Sequence, residues 1–222
     1  MIPVHHLENS RSQRVLWLLE ELALPYEIVR YARDPKTMLA PAELRRVHPL
    51  GKAPVITDGE RTLAESGAIL EYLVEAYGQG RLIPPPGTPA RVRYTMWMHY
   101  AEGSAMPPLV MKLVFGRLPG RTPALLRPLV RRVMAGAQRG FVDPQLKAHA
   151  DYWEAELSRH AWFAGDDFTA ADVQMSFPLE AAATRGRGTE GRPKVQAFLE
   201  RIHARPGYVR ALERGGPYAL MR

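Results

Sequence analysis

Hydrophobic spacing along the chain changes character once, near residue 80. Before that point short runs of different period follow one another. Residues 3–7 read as a short strand, and the polar run 8–13 leads into Val15-Leu16-Trp17-Leu18-Leu19-Glu20-Glu21-Leu22, whose apolar density suits a buried helix. Pro25 breaks that helix, and residues 26–31 alternate like a strand. Residues 41–47 predict a short helix with proline near its start. Leu50-Gly51-Lys52-Ala53-Pro54-Val55-Ile56-Thr57-Asp58-Gly59 reads as a glycine turn, a proline opening a short β-branched strand, and an Asp-Gly turn. A second short strand and an amphipathic helix over 64–73 follow. The order is β-α-β-α-β-β-α, which by pattern alone is a small α/β unit.

The run Gly78-Gln79-Gly80-Arg81-Leu82-Ile83-Pro84-Pro85-Pro86-Gly87-Thr88-Pro89 excludes regular structure and marks a boundary between units spanning 1–78 and 90–222. Beyond it strand signals almost vanish. A long helix over 91–114 carries Tyr94, Trp97, Met98 and Met111, and must kink or restart at Pro107-Pro108. Residues 125–157 form a second helical region, interrupted by Gly140 and Pro144. Thr169-Ala170-Ala171-Asp172, after Gly165-Asp166-Asp167-Phe168, has the form of a capping box with Asp in place of Glu or Gln. Residues 186–191 read as a loop, 195–203 as a helix, and Pro206-Gly207 starts the last one.

Composition narrows the class. The 222 residues are 46% hydrophobic and 24% charged, as in an ordinary globular protein. No apolar run approaches the roughly 20 residues of a membrane span, and the N-terminus lacks a basic region followed by a long apolar one, so a cytoplasmic location without membrane partners is expected. Without cysteine there is no disulfide, thiolate metal site or cysteine nucleophile. His5 and His6 are adjacent on a strand and point to opposite faces, and the other histidines lack ligand spacing, so no metal site is expected. Of the net +7, residues 1–80 hold 9 basic and 11 acidic residues and the remainder 21 and 12. Arginines 117, 121, 127, 131, 132 and 139 lie in a stretch without an acid, which could draw an anionic substrate or nucleic acid. No aromatics interleave with them, so a solvated helix face without a nucleic-acid partner is the expectation.

Candidate chemistry gathers before residue 80. Pro54 donates no hydrogen bond, so Ala53 keeps backbone groups free to meet a ligand. Glu65 and Ser66 open a helix, whose free N–H groups attract an anion, while the carboxylate can hold an ammonium. The same two residues would equally serve as cap and first-turn acid. Asn9, Ser10 and Ser12 sit at a strand-to-helix junction, where each can cap the helix or donate to a ligand.

Taken in order, Asn9-Ser10-Arg11-Ser12, Gly51-Lys52-Ala53-Pro54, Glu65-Ser66-Gly67 and the segment from Gly165 to Asp172 make the chain resemble the cytosolic glutathione transferase superfamily over nearly its whole length. The resemblance implies an α/β thioredoxin-like N-terminal domain with an all-α C-terminal domain, a homodimer, and detoxification chemistry with glutathione as co-substrate and a small hydrophobic electrophile as the second substrate. It implies that Glu65 and Ser66 hold the γ-glutamyl end, that Ala53 before a cis Pro54 pairs with the cysteinyl backbone, and that Lys52 faces the glycyl carboxylate. Asn9 aligns with the thiolate-stabilising serine of the serine-type classes and Ser10 follows it. Ser10 is preferred as the compact hydroxyl donor, Asn9 stands beside it, and Arg11 and Ser12 are held in reserve. A glutathione-dependent disulfide reductase or peroxidase would use the same site, and a non-enzymatic binding protein is a third alternative.

Overall fold

The computed structural model describes residues 1–186, 189–216 and 218–219. Strands β1 (Ile2–Leu7), β2 (Tyr26–Tyr31), β3 (Val55–Asp58) and β4 (Arg61–Ala64) form one sheet in the order β2-β1-β3-β4. β1 and β2 run parallel, with Val4 opposite Ile28, so helix α1 (Ser12–Leu22) must carry the chain back between them. β3 is antiparallel to β1 and to β4. Helices α2 (Leu44–Val47) and α3 (Ser66–Tyr77) complete a thioredoxin-like unit. α2 is shorter than residues 41–47, because its first turn is closed by i→i+3 bonds such as Leu44 N–H to the Pro41 carbonyl. Gly51 is at φ +58°, and a Cβ there would lie 2.6 Å from Arg45 Cγ, so the turn that delivers Lys52 requires glycine.

Among the described residues seven α-helices follow: α4 (Pro89–Tyr100), α5 (Met106–Arg117), α6 (Arg127–Ala137), α7 (Asp143–Arg159), α8 (Ala170–Gly186), α9 (Pro193–His203) and α10 (Pro206–Gly215). The long helix expected over 91–114 is disturbed, but ahead of the prolines. Pro107 and Pro108 have no N–H for the carbonyls four residues earlier, and the chain widens into a π turn over Ala101–Ala105. The same device recurs over Gln138–Val142, just before Pro144. Part of the loop expected over 186–191 lies outside the described residues. The capping box forms at α8: the Asp172 carboxylate accepts the Thr169 N–H at 2.8 Å, and the Thr169 hydroxyl accepts the Ala171 N–H at 3.3 Å. The other Asp172 oxygen accepts the Phe163 N–H, and burial pushes the Asp172 carboxyl up to about 6.

Helix α1 is the seam. It packs against α3, α8 and α10, so Val15, Leu16, Trp17, Leu18 and Leu19 are all fully buried. Arg205 meets Glu21, Arg210 and Arg214 meet Glu20, and Tyr208 stands edge-on to Trp17. The Leu82 carbonyl of the linker accepts the Ala170 N–H of α8. Among the described residues no helix is long and apolar enough to cross a membrane, and no three His, Asp or Glu side chains cluster as metal ligands. The acid-free arginines are exposed along the α5–α6 connection and beyond, beside exposed Leu125, Leu129 and Val133.

Candidate functional site

A cleft of about 230 Å³ opens between the sheet end and the π turn after α4, lined by Arg11, His48, Leu50, Lys52, Ala53, Pro54, Ala64, Glu65, Ser66 and Glu102. The two local motifs that supply Lys52, Ala53, Pro54, Glu65 and Ser66 thus converge on one space. The Ala53–Pro54 peptide bond is cis, as the family pattern implies. Glu65 is exposed and held at φ +68°, a conformation rare outside glycine, at the point where β4 turns into α3. Ser66 is buried, and its Oγ accepts from Arg14 at 2.8 Å, which leaves its own O–H to give away. At the opposite end Lys52 is exposed and His48 Nδ1 is buried without a hydrogen-bond partner among the described residues. One end offers a carboxylate beside a helix N-terminus, the other a cation and an unspent imidazole nitrogen. That polarity suits a peptide-like ligand with a zwitterionic head and a free carboxylate.

Family models match residues 10–76 as a glutathione S-transferase N-terminal domain and residues 121–206 as a glutathione S-transferase C-terminal domain. Glutathione S-transferase 3 of Schizosaccharomyces pombe is 36% identical over 93% of this chain and 84% of its own. The chain belongs to the glutathione transferase family. Glutathione S-transferase 1 of Saccharomyces cerevisiae is 31% identical over 96% of this chain and 95% of its own. A crystal structure of a glutathione S-transferase from Actinobacillus pleuropneumoniae superposes with a TM-score of 0.83 at 31% identity, covering 100% of this chain and 96% of that one.

At the start of α1 the transferase places its polar groups unequally. Arg11 lines the cleft, with Nε donating to both Glu102 oxygens at 2.9 and 3.0 Å and its guanidinium 5.1 Å from the Phe177 ring centre. Ser10 is buried and does not line the cleft; its Oγ accepts the Ser12 N–H at 3.2 Å and lies 2.7 Å from Ser12 Oγ. Asn9 is exposed at φ +50°, and its Oδ1 accepts the Ala219 N–H at 2.6 Å. The junction therefore presents a guanidinium to the cleft and keeps its hydroxyl one layer behind.

Three residues in or beside the cleft escape sequence reasoning. Arg14 is 1% exposed and donates to Ser66 Oγ, to Glu102 and to the Gln174 carbonyl of α8. Glu102 accepts from Arg14 at 2.5 Å as well as from Arg11, and although burial opposes its charge, the two guanidiniums hold its carboxyl below the ordinary carboxylate range. His48 is the third. The signal for the first two is a charged residue set in an apolar helical run, which requires a buried partner. For His48 no such signal exists.

Proposed function

We propose that the transferase ionises glutathione and directs its thiolate at a small, mostly apolar electrophile. The observation that carries this reading is the convergence of Lys52, Ala53, Pro54, Glu65 and Ser66 on one cleft at the N-terminal end of α1. Glu65 holds the γ-glutamyl ammonium, and the Ser66 hydroxyl with the α3 N-terminus holds its carboxylate. Ala53 pairs with the cysteinyl backbone. Lys52, with His48 beside it, holds the glycyl carboxylate.

The sulfur then lies near the start of α1. A free thiol titrates near about 8.5, and each unit of depression is worth about 1.4 kcal/mol. One donor to the anion plus the helix N-terminus supplies one to two such units. Ser10 is the hydroxyl the sequence prefers but stands one layer behind the cleft, so Arg11, which lines it, is the donor the cleft offers to the sulfur. Asn9, its oxygen engaged with Ala219, retains only its amide N–H groups for a sulfur. With no cysteine in the chain, no mixed disulfide with glutathione can form on the protein.

The assembly is proposed to be a homodimer in the cytoplasm. Supporting a second copy, exposed apolar residues stand one turn apart on three helices: Val92 and Met96, Val110 and Val114, Leu129 and Val133. The test of the activity is turnover of glutathione with a panel of electrophiles, a peroxide and a small disulfide. Conjugation with the electrophiles is expected to dominate; turnover confined to the disulfide or peroxide would make this a reductase or peroxidase, and none at all a binding protein.

A further inference from the structure

Guanidiniums from three parts of the chain gather at the start of α1, and the glutathione reading uses one of them. Arg11 lines the cleft; its Nε is spent on Glu102, and its two terminal amino groups hold no hydrogen bond among the described residues. Arg33, in the loop after β2, is tied to the same turn: its Nε donates to the Glu8 carbonyl at 3.3 Å and its backbone N–H to Glu8 Oε1 at 3.2 Å. One of its terminal amino groups donates to the Met38 carbonyl at 3.0 Å, and the other has no partner among the described residues. Arg117, in the last turn of α5, is exposed and makes no hydrogen bond or ion pair among the described residues.

Helix α5 reaches this place because it packs on α8, whose Phe177 ring centre lies 5.1 Å from the Arg11 guanidinium. Burial lowers the Arg33 guanidinium against the attraction of Glu8, and the charges of Arg117 and Arg11 lower it further, so Arg33 stands within the field of both. The carboxylates in contact with these arginines are Glu8 and Glu102, and Glu102 is shared with buried Arg14. Asp34, next to Arg33, spends one oxygen on the Lys36 and Thr37 N–H groups and the Thr37 hydroxyl. Positive charge is therefore in excess at the mouth of the cleft, with free N–H groups on Arg33 and Arg117. Exposed apolar side chains stand beside them, Met38 next to Arg33 and Leu118 next to Arg117.

We propose that Arg33 and Arg117 determine the specificity for the second substrate: they hold an oxyanion, a carboxylate in the simplest case, carried by an otherwise apolar electrophile whose reacting carbon faces the sulfur at Arg11. The inference rests on the transferase reading and narrows its electrophile. A guanidinium suits the task, because its planar fork meets a carboxylate with two parallel N–H bonds and stays charged at any working pH. The anion takes no part in the bond changes. With an aryl chloride the S–C bond forms, the C–Cl bond breaks with its electron pair leaving on chloride, and the thiol proton goes to water. What the arginines contribute is placement of the carbon, and a field that draws the anion in.

The experiment compares a chlorodinitrobenzoate with the neutral chlorodinitrobenzamide of the same ring pattern, each kcat/KM being divided by the uncatalysed rate with glutathione. Wild type is expected to favour the benzoate about tenfold or more, chiefly through KM, and the preference should shrink as salt is added. Arg33→Ala should cut it about tenfold, Arg117→Ala, whose side chain is exposed, about threefold, and Arg117→Glu further than Arg117→Ala. The anion site is overturned, and the transferase reading stands, if wild type shows no preference, if it conjugates other electrophiles but neither probe, or if the preference survives unchanged in all three variants. If no electrophile at all is conjugated, the transferase reading falls and this inference with it. Should Arg33→Ala fail to fold for want of its tie to Glu8, the two Arg117 variants decide, since that side chain has no hydrogen bond among the described residues to lose.

Discussion

Replacing Glu102 by alanine should damage stability and binding together, because one carboxylate serves two guanidiniums. Arg14 is 1% exposed and would keep only the Ser66 hydroxyl and the Gln174 carbonyl as partners. Losing a charge-assisted bond of that kind costs about 1.5–3 kcal/mol, and the Arg11 pair, with both side chains about a third exposed, adds about 0.5–1 kcal/mol. The sum of about 2–4 kcal/mol corresponds, for a chain of this length, to a fall in Tm of about 5–15 °C. The sign with pH is fixed by the carboxyl lying below its ordinary 4.5 in the folded state. Its contribution is present above that value and is lost as the pH falls through the folded value, so the gap between wild type and Glu102→Ala should close in acid. Urea denaturation at neutral and acid pH measures the gap, and calorimetry with glutathione measures the binding loss that follows when Arg14, with one anchor fewer, holds Ser66 less firmly. A variant within about 0.5 kcal/mol of wild type, with unchanged glutathione affinity, would refute the assignment of Arg14 and Glu102 as one unit.

Alanine at Glu65 or Ser66 should weaken glutathione binding by about 1–3 kcal/mol, read by calorimetry, and Lys52→Ala should do so in a salt-dependent way; full affinity in all three would return these residues to capping roles. Asp172 titrates near 6 in the fold against 3.8 as the ordinary value, so its stabilising contribution is greatest below pH 4 and is lost as the pH rises through 6. Relative to Asp172→Asn, wild type should therefore lose about 3 kcal/mol between those limits, and a constant difference in denaturation would contradict the burial argument. Sedimentation should give twice the 24.9 kDa chain mass, and Val110→Asp should shift it to the single-chain value if that exposed face is the contact; a monomer at micromolar concentration removes the dimer.

What was legible in the chain was what local chemistry writes. The β-α-β-α-β-β-α order, the Thr169–Asp172 cap and the cleft residues around Pro54 and Glu65 each depend on groups within a few positions of one another. α1 begins at Ser12 rather than near Val15, because the Ser10 hydroxyl already accepts the Ser12 N–H and spares the first turn an orphan donor. The disturbance expected at Pro107-Pro108 occurs before them, since a proline leaves unpaired the carbonyl four residues earlier and the chain relaxes there, whereas the interruption expected at Gly140 and Pro144 falls over Gln138–Val142, around Gly140. Arg14, Ser66 and Glu102 were not legible as a unit. Their partners lie 52 and 88 positions away, and nothing in the spacing of one element announces the charge that another will bring to it.

That separation bears on where the glutathione site resides. The residues proposed to hold the γ-glutamyl end belong to the first 78, yet the group that bonds Ser66 is an arginine held from the other half of the chain, by the Gln174 carbonyl on α8 and by Glu102 after α4. The start of α1 is tied the same way, through Asn9 to Ala219 and through Arg11 to Glu102 and Phe177. A thioredoxin-like unit alone would present the same backbone and the same motifs, with Arg14 uncompensated and Arg11 unanchored. Preorganisation is what converts a contact into affinity or a lowered thiol pKa, so residues 1–78 in isolation should bind glutathione far more weakly than the intact chain even where they fold. On the proposed reading the helical half therefore does more than wall in a second substrate: it fixes the charges beside the residues proposed to hold glutathione.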